Sequence, residues 1–225
     1  MTGLQILQRT QCISADHVNA FREIPVANIS DCMTRMSAGG PRLRPMHRSG
    51  RLAGAAITVK TRPGDNLMIH KALDMAQPGD VIVVDGGGDL TNALIGELMT
   101  TFAMTRGIAG FVINGAIRDI DVIGSGDFPV YAAGITHRGP YKDGPGEINV
   151  PIAIAGMVIN PGDLILGDAD GMLCVPMAHA DTILAAARQK VTAEQTTLAD
   201  IAAGRLDTSW VDRTLQRIGC EPTPR

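Results

Sequence analysis

The chain has 225 residues, room for one large domain or two small ones, and its 45% hydrophobic content can fill a core without disulfide or metal staples. Aromatic residues make up only 3% against 26 glycines, a balance that suits close helix-on-sheet packing and excludes a disordered chain. The net charge of −3, from 20 basic and 23 acidic residues, lacks the basic excess of a nucleic-acid binder.

Residues 1–52 read as an N-terminal helical arm. Ser14 is placed to cap a helix over Ala15 to Phe21, and Ser30 to cap another from Asp31 to Met36. The run Arg42, Arg44, His47, Arg48 and Arg51, broken by Pro41 and Pro45, reads as a solvated loop. Ala53 to Thr61 reads as a strand, the Pro63-Gly64-Asp65 turn follows, and Asn66 to Met75 has helical spacing. Pro78-Gly79-Asp80 leads into the β-branched run Val81 to Val84, of the kind buried in a sheet. After Asp85-Gly86-Gly87-Gly88-Asp89 the pattern predicts a helix from about Leu90 to Thr105, then a buried strand from Ile108 to Ile113 ending at Asn114-Gly115.

Beyond residue 125 short strands alternate with turns: Phe128 to Ala133, Ile148 to Ile154, Met157 to Ile159, Leu164 to Leu166 and Met172 to Val175. Pro161-Gly162-Asp163 and Asp168-Ala169-Asp170-Gly171 are strong turn signals, because Pro fixes φ and Gly permits positive φ. Helices are expected over His179 to Ala203 and Thr208 to Ile218. The expected organisation is one α/β domain, 53–177, between the arm 1–52 and C-terminal helices 178–225.

Cys12, Cys32, Cys174 and Cys220 form no C-x-x-C pair, which argues against a zinc ribbon or a thioredoxin-like motif. Cys174, in an apolar run, is expected to be a core thiol. The first ten residues do not resemble a signal peptide, and no window is apolar enough to span a bilayer. A soluble cytoplasmic protein with neither nucleic-acid nor membrane partners is expected.

The chemistry concentrates between Asp85 and Asp121. Arg118 and Asp119 directly follow an apolar strand, where ligand sites of α/β sheets lie. Arg can grip a planar carboxylate at two points, and Asp is a hard oxygen ligand suited to Mg²⁺ or Mn²⁺. The alternative is a helix-start Asp and a surface Arg in an ordinary ion pair. The triple glycine lacks the third glycine of G-x-G-x-x-G and is flanked by two acids, so a dinucleotide site is rejected. Gly96 interrupts the predicted helix at a cost of about 1 kcal/mol. Either it packs closely, or the helix begins there and offers free N–H groups to an anion. Among the histidines, His70 stands out on its helix after a Pro-Gly-Asp turn, although a helix-face or core role is commoner for such a residue.

From about Ile29 to Ala178 the sequence resembles the family of regulators of ribonuclease E activity A, which includes the 4-hydroxy-4-methyl-2-oxoglutarate / 4-carboxy-4-hydroxy-2-oxoadipate aldolases. The residues that carry it are Gly54-Ala55-Ala56-Ile57-Thr58-Val59, Pro63-Gly64-Asp65-Asn66 with His70, Pro78 to Gly86, Gly96-Glu97-Leu98, Arg106-Gly107, Gly110, Gly115-Ala116-Ile117-Arg118-Asp119, Pro161-Gly162-Asp163 and Asp168 to Gly171.

The resemblance implies a swivelling β/β/α fold, phosphohistidine-domain-like, assembled as a homotrimer or hexamer with sites near subunit interfaces. It implies that Gly96, Glu97, Leu98 and Met99 contact the substrate through their backbone. It further implies that Arg118 binds and polarises the pyruvyl group and that Asp119 ligates Mg²⁺ or Mn²⁺. Relatives commonly carry a carboxylate three places after the motif Asp, where this chain has Val122. The implied activity is metal-dependent lysis of small 2-oxo acids, by retro-aldol cleavage or oxaloacetate decarboxylation. The alternative is a non-catalytic trimer that binds and inhibits another protein such as a ribonuclease.

Overall fold

Apolar side chains alternate between the two faces of the central strands, and this alternation dictates a sheet covered on both sides. The computed structural model describes residues 3–35 and 39–220. Its elements are β1 (Leu4–Ile6), α1 (Ala15–Arg22), α2 (Val26–Cys32), β2 (Arg44–Pro45), β3 (Leu52–Thr61), α3 (Leu67–Met75), β4 (Asp80–Asp85), β5 (Ala93–Ile95), α4 (Glu97–Thr105), β6 (Gly110–Ile117), α5 (Ile120–Ser125) and β7 (Val130–Ile135). They continue with β8 (Gly146–Ile148), β9 (Ile152–Ile154), β10 (Met157–Ile159), β11 (Leu164–Asp168), β12 (Gly171–Val175), α6 (Ala180–Ala202) and α7 (Ser209–Arg217).

The main sheet runs β1-β8-β3-β4-β6-β7-β2, with β11 and β12 added beside β3 and β5 beside β6. Strands β3, β4, β6 and β7 are mutually parallel, joined through α3, α4 and α5. Val81, Val83 and Val112 point into one buried cluster with Phe21, Ile29 and Ile165. Ile82, Val84, Phe111 and Ile113 point into the other, under Ile69, Leu73, Met99 and Ala103 from α3 and α4. The fold is a mixed α/β domain with helices towards both termini, as the sequence implies.

The first 52 residues also contribute β1 and β2 to the sheet. Arg9 holds this segment down, donating to Asp80 Oδ1 and Oδ2 at 2.7 and 2.6 Å with both side chains largely covered. One compact unit extends to Ala187, and α6 enters it through buried Ala180, Ile183 and Ala187. Residues from Arg188 onward form a second unit, the rest of α6 and α7, laced by the pairs Lys190–Glu194 and Arg205–Asp200. No described helix is long and apolar enough to cross a membrane.

Several expected elements shift. Ser14 does cap α1, accepting from the His17 amide at 3.2 Å. Ser30, however, lies inside α2, which starts after Pro25, where the Asp168 carboxylate accepts the Val26 amide at 2.9 Å. Met36 lies outside the described residues. The expected helix from Leu90 is instead β5 followed by α4, because three apolar residues pair with β6 before the helix begins. Strand β6 does not stop at Asn114-Gly115 but reaches Ile117. The single strand expected over 148–154 is two, β8 and β9, separated by Asn149 at φ 58°. Cys174 is buried as expected. The basic run is not simply solvated: His47 is buried, each ring nitrogen hydrogen-bonded to backbone, at Val130 and Gly50.

Candidate active site

Parallel strands leave their C-terminal ends open to ligands, and β6 delivers Arg118 and Asp119 there. The Arg118 amide donates to Ile95 O at 3.1 Å, fixing this corner to β5. Asp119 is left-handed, with φ 60° and ψ 40°, a strained conformation for a residue with a side chain. It stands at the start of α5, yet its carboxylate does not cap that helix. Instead Oδ2 accepts the Glu97 amide of α4 at 2.9 Å and lies 3.7 Å from Arg118 Nε. Both side chains are about two-fifths exposed, so they are available to a ligand.

Gly96 links these groups. Its φ of −158° is open to any residue, so conformation does not explain the glycine. Crowding does: a Cβ there would collide with Asp119 Oδ2 and sit 2.9 Å from Arg118 Cγ. The helix also begins here, since the Met99 and Thr100 amides already donate to Gly96 O. Close packing and a helix start at Gly96 therefore hold together, and the first amide of that helix is taken up by Asp119.

The opposite wall comes from the start of α3. Asn66 is 3% exposed, and its Nδ2 donates to Leu94 O at 2.9 Å and faces Met99 Sδ at 3.5 Å. Its Oδ1 is buried without a hydrogen-bond partner. One turn later, burial and then the nearby Lys142 charge push His70 below the ordinary histidine value, against a smaller opposing pull from Asp74. The 140–144 loop closes the cleft and is tied to the turn before α3. Asp65 accepts amides from Leu67, Asp143 and Gly144 at 2.9, 2.8 and 2.9 Å, and the Asn66 amide donates to Tyr141 O at 3.0 Å. Burial alone would raise the Asp65 carboxyl, but these amides and Arg62 outweigh it and hold it below its usual range.

The result is a cleft of about 100 Å³ lined by residues including Asn66, His70, Gly96, Arg118, Asp119 and Lys142. Leu98 and Met99 also line it, whereas Glu97 contributes its amide. Thus the residues singled out in the sequence converge on one place. Sequence reasoning missed Lys142, which carries no local signal, and gave Asn66 no role beyond its turn motif and the start of the helix that follows. Val122 lies on α5 outside the cleft lining, 48% exposed. The triple-glycine loop lies outside it as well, with Asp85 Oδ1 accepting from the Gly87 amide and Asn114. Among the described residues no group of three or more His, Cys, Asp or Glu gathers at metal-binding distance.

Residues 26–174 match the family model described as Aldolase/RraA. A protein of Halalkalibacterium halodurans, provisionally named a 4-hydroxy-4-methyl-2-oxoglutarate aldolase, is 42% identical over 78% of this chain and 83% of its own length. The 4-hydroxy-4-methyl-2-oxoglutarate aldolase of Thermus thermophilus is 36% identical over 56% of this chain and 76% of its own. Among solved structures, the RNA-processing inhibitor RraA of Thermus thermophilus superposes with a TM-score of 0.63 and 32% identity, covering 68% of this chain and 93% of that one. By the family model and by the relative at 42% identity, the chain belongs to the Aldolase/RraA family.

Proposed function

We propose that the protein is a divalent-metal-dependent carbon–carbon lyase that releases pyruvate from small 2-oxo acids, with Arg118 and Asp119 at its centre. The observation that carries this reading is the strained Asp119 carboxylate, held beside Arg118 at the mouth of the cleft and anchored on the Glu97 amide. Strain at a ligand-facing residue is retained where the site depends on that placement. The aldolase names of the relatives support the same reaction class.

In retro-aldol cleavage the C3–C4 bond breaks, the C4 hydroxyl loses its proton, and the electron pair passes into the C2 carbonyl as a pyruvate enolate. The enolate then takes a proton at C3. Arg118 is placed to hold the carboxylate and stabilise the developing oxyanion. Lys142 adds a second cation for a second carboxylate. His70, held below the ordinary histidine value, is mostly neutral near pH 7 and able to accept a proton. Mg²⁺ binds through one or two carboxylates and keeps several waters, so the single Asp119 carboxylate fits Mg²⁺ or Mn²⁺ better than a closed zinc site. When bound, such an ion supplies Lewis acidity to the carbonyl oxygen.

Leu98 of the cleft lining is exposed, and so are the apolar side chains of Phe102 on α4 and Val122 on α5. Exposed apolar side chains of this kind suit burial against a second copy, in keeping with a trimer or hexamer. The test is pyruvate release from oxaloacetate and from 4-hydroxy-4-methyl-2-oxoglutarate, with Mg²⁺ or Mn²⁺ and with EDTA. Metal-dependent pyruvate supports the lyase. No turnover and no metal binding would favour the second reading, a non-catalytic trimeric regulator of a protein such as a ribonuclease, which the likeness to RraA supports.

A further inference from the structure

The tripeptide Pro-Gly-Asp occurs at 63–65, 78–80 and 161–163, and its backbone turn is the same each time. The Asp amide donates to the carbonyl three residues earlier, that of Arg62, Gln77 or Asn160. The carboxylates differ. Asp80 and Asp163 each close their own turn, accepting the Gln77 amide at 2.7 Å and the Asn160 amide at 2.9 Å. In the first turn the equivalent amide, that of Arg62, donates instead to Pro145 O at 3.2 Å, which releases the Asp65 carboxylate for other partners.

Those partners lie around Lys142. Asp65 is fully buried, and its Oδ1 accepts the Leu67 amide, the first of α3, at 2.9 Å. Oδ2 accepts the Asp143 and Gly144 amides at 2.8 and 2.9 Å and lies 3.1 Å from Arg62 Nη2. Before Lys142, Tyr141 donates its amide to Gly64 O at 2.8 Å and accepts the Asn66 amide at 3.0 Å. The Lys142 backbone is therefore clamped on both sides by the 64–66 turn, while its side chain is exposed at the cleft. A lysine ammonium rides on a flexible stem, so the backbone beneath it decides what it can reach. Fixing that backbone in advance lowers the ordering cost of binding.

We propose that Asp65 is a positioning residue for substrate binding, holding Lys142 ready to receive the second carboxylate of a 2-oxo diacid whose first carboxylate is held by Arg118. This rests on the lyase reading above and deepens it by naming the residue that sets its preference for diacids. Asp65 touches neither the substrate nor the reacting atoms. Its contribution falls on the binding of diacids and spares ligands with a single carboxylate, such as pyruvate.

The test is a double-mutant cycle over the wild type, Asp65→Asn, Lys142→Met and the double variant, with Mg²⁺ present. It is read on KM for oxaloacetate, which has two carboxylates, and on the inhibition constant of pyruvate, which has one. Asp65→Asn is expected to raise KM about tenfold, the worth of one charge-assisted hydrogen bond, and to leave the pyruvate constant unchanged. In the Lys142→Met background it should change KM no further, because the two residues act in series. Equal weakening of both ligands, or additive effects of the two substitutions, would make Asp65 a purely structural residue and overturn the inference. Where Asp65→Asn folds poorly, hydrogen exchange is followed in the wild type. There 2-oxoglutarate should slow exchange of the Asp143 and Gly144 amides and pyruvate should not, and the same response to both overturns the proposal. Pyruvate from neither oxaloacetate nor 4-hydroxy-4-methyl-2-oxoglutarate in the wild type removes the lyase reading itself, and the exchange of these two amides then decides the role of Asp65 alone.

Discussion

The Asp119 carboxylate turns away from the helix that its own backbone begins and accepts the Glu97 amide of α4, 2.9 Å away. One carboxylate thereby binds two elements together while its backbone sits in a strained left-handed conformation. Asp119→Asn keeps an oxygen for the Glu97 amide and removes only the charge. Metal-dependent pyruvate release is expected to fall by about 10²- to 10³-fold, with the thermal unfolding midpoint nearly unchanged. Undiminished turnover would show that the charge is not used.

Gly96→Ala tests the crowding that explains this glycine. An added Cβ meets Asp119 Oδ2 and Arg118 Cγ, so the site must shift while the helix itself tolerates the change. A loss of about 100-fold in kcat/KM is expected from misplacement, together with roughly 1–3 kcal/mol of stability. Steady-state kinetics and urea denaturation read the two effects separately.

Arg118→Lys keeps the positive charge and removes the planar two-pronged grip. Losing one charge-assisted hydrogen bond costs about 2 kcal/mol, equivalent to roughly thirtyfold in kcat/KM. Arg118→Ala should lose considerably more. Equal kinetics for Lys and Arg would mean that only charge matters at this position.

Asp65 links cleft architecture to pH. Its folded carboxyl lies below the ordinary value, so the unfolded chain binds its proton first on acidification. The stability it contributes is complete above the ordinary carboxylate range and is lost as pH falls through the folded value. Asp65→Asn should therefore cost about 2 kcal/mol near neutral pH, with the gap from wild type narrowing in acid. Denaturant titrations at the two conditions check both the size and the sign.

The parallel strands and the Arg118-Asp119 pair are legible in the sequence because apolar β-branched runs and turn residues are local signals. The stretch from Leu90 to Thr105 is not, since Ala93-Leu94-Ile95 fits either a helix or a short strand until its pairing with β6 is known. Asn114-Gly115 reads as the end of a strand. In the fold Asn114 Nδ2 bonds Asp85 Oδ1 at 3.0 Å, and the absent side chain of Gly115 leaves room for Leu94, so the strand runs on. Lys142 and Asn66 meet Arg118 only through tertiary packing from distant parts of the chain, and no spacing rule foretells that.

The clasp between Arg9 and Asp80 sets a lower bound on how far the protein can be trimmed. A fragment confined to the family-matched residues 26–174 would discard the guanidinium and strip the Asp80 carboxylate of its ion pair, together with strand β1 and helix α1. Within the full chain, removing only the Arg9 side chain would leave a covered carboxylate unpaired, at a cost of about 3–5 kcal/mol, a large part of what a domain this size has to spare. The segment ahead of the recognisable motif is therefore part of the folding unit, and a minimal version of this fold would need a neutral residue at position 80 to dispense with it.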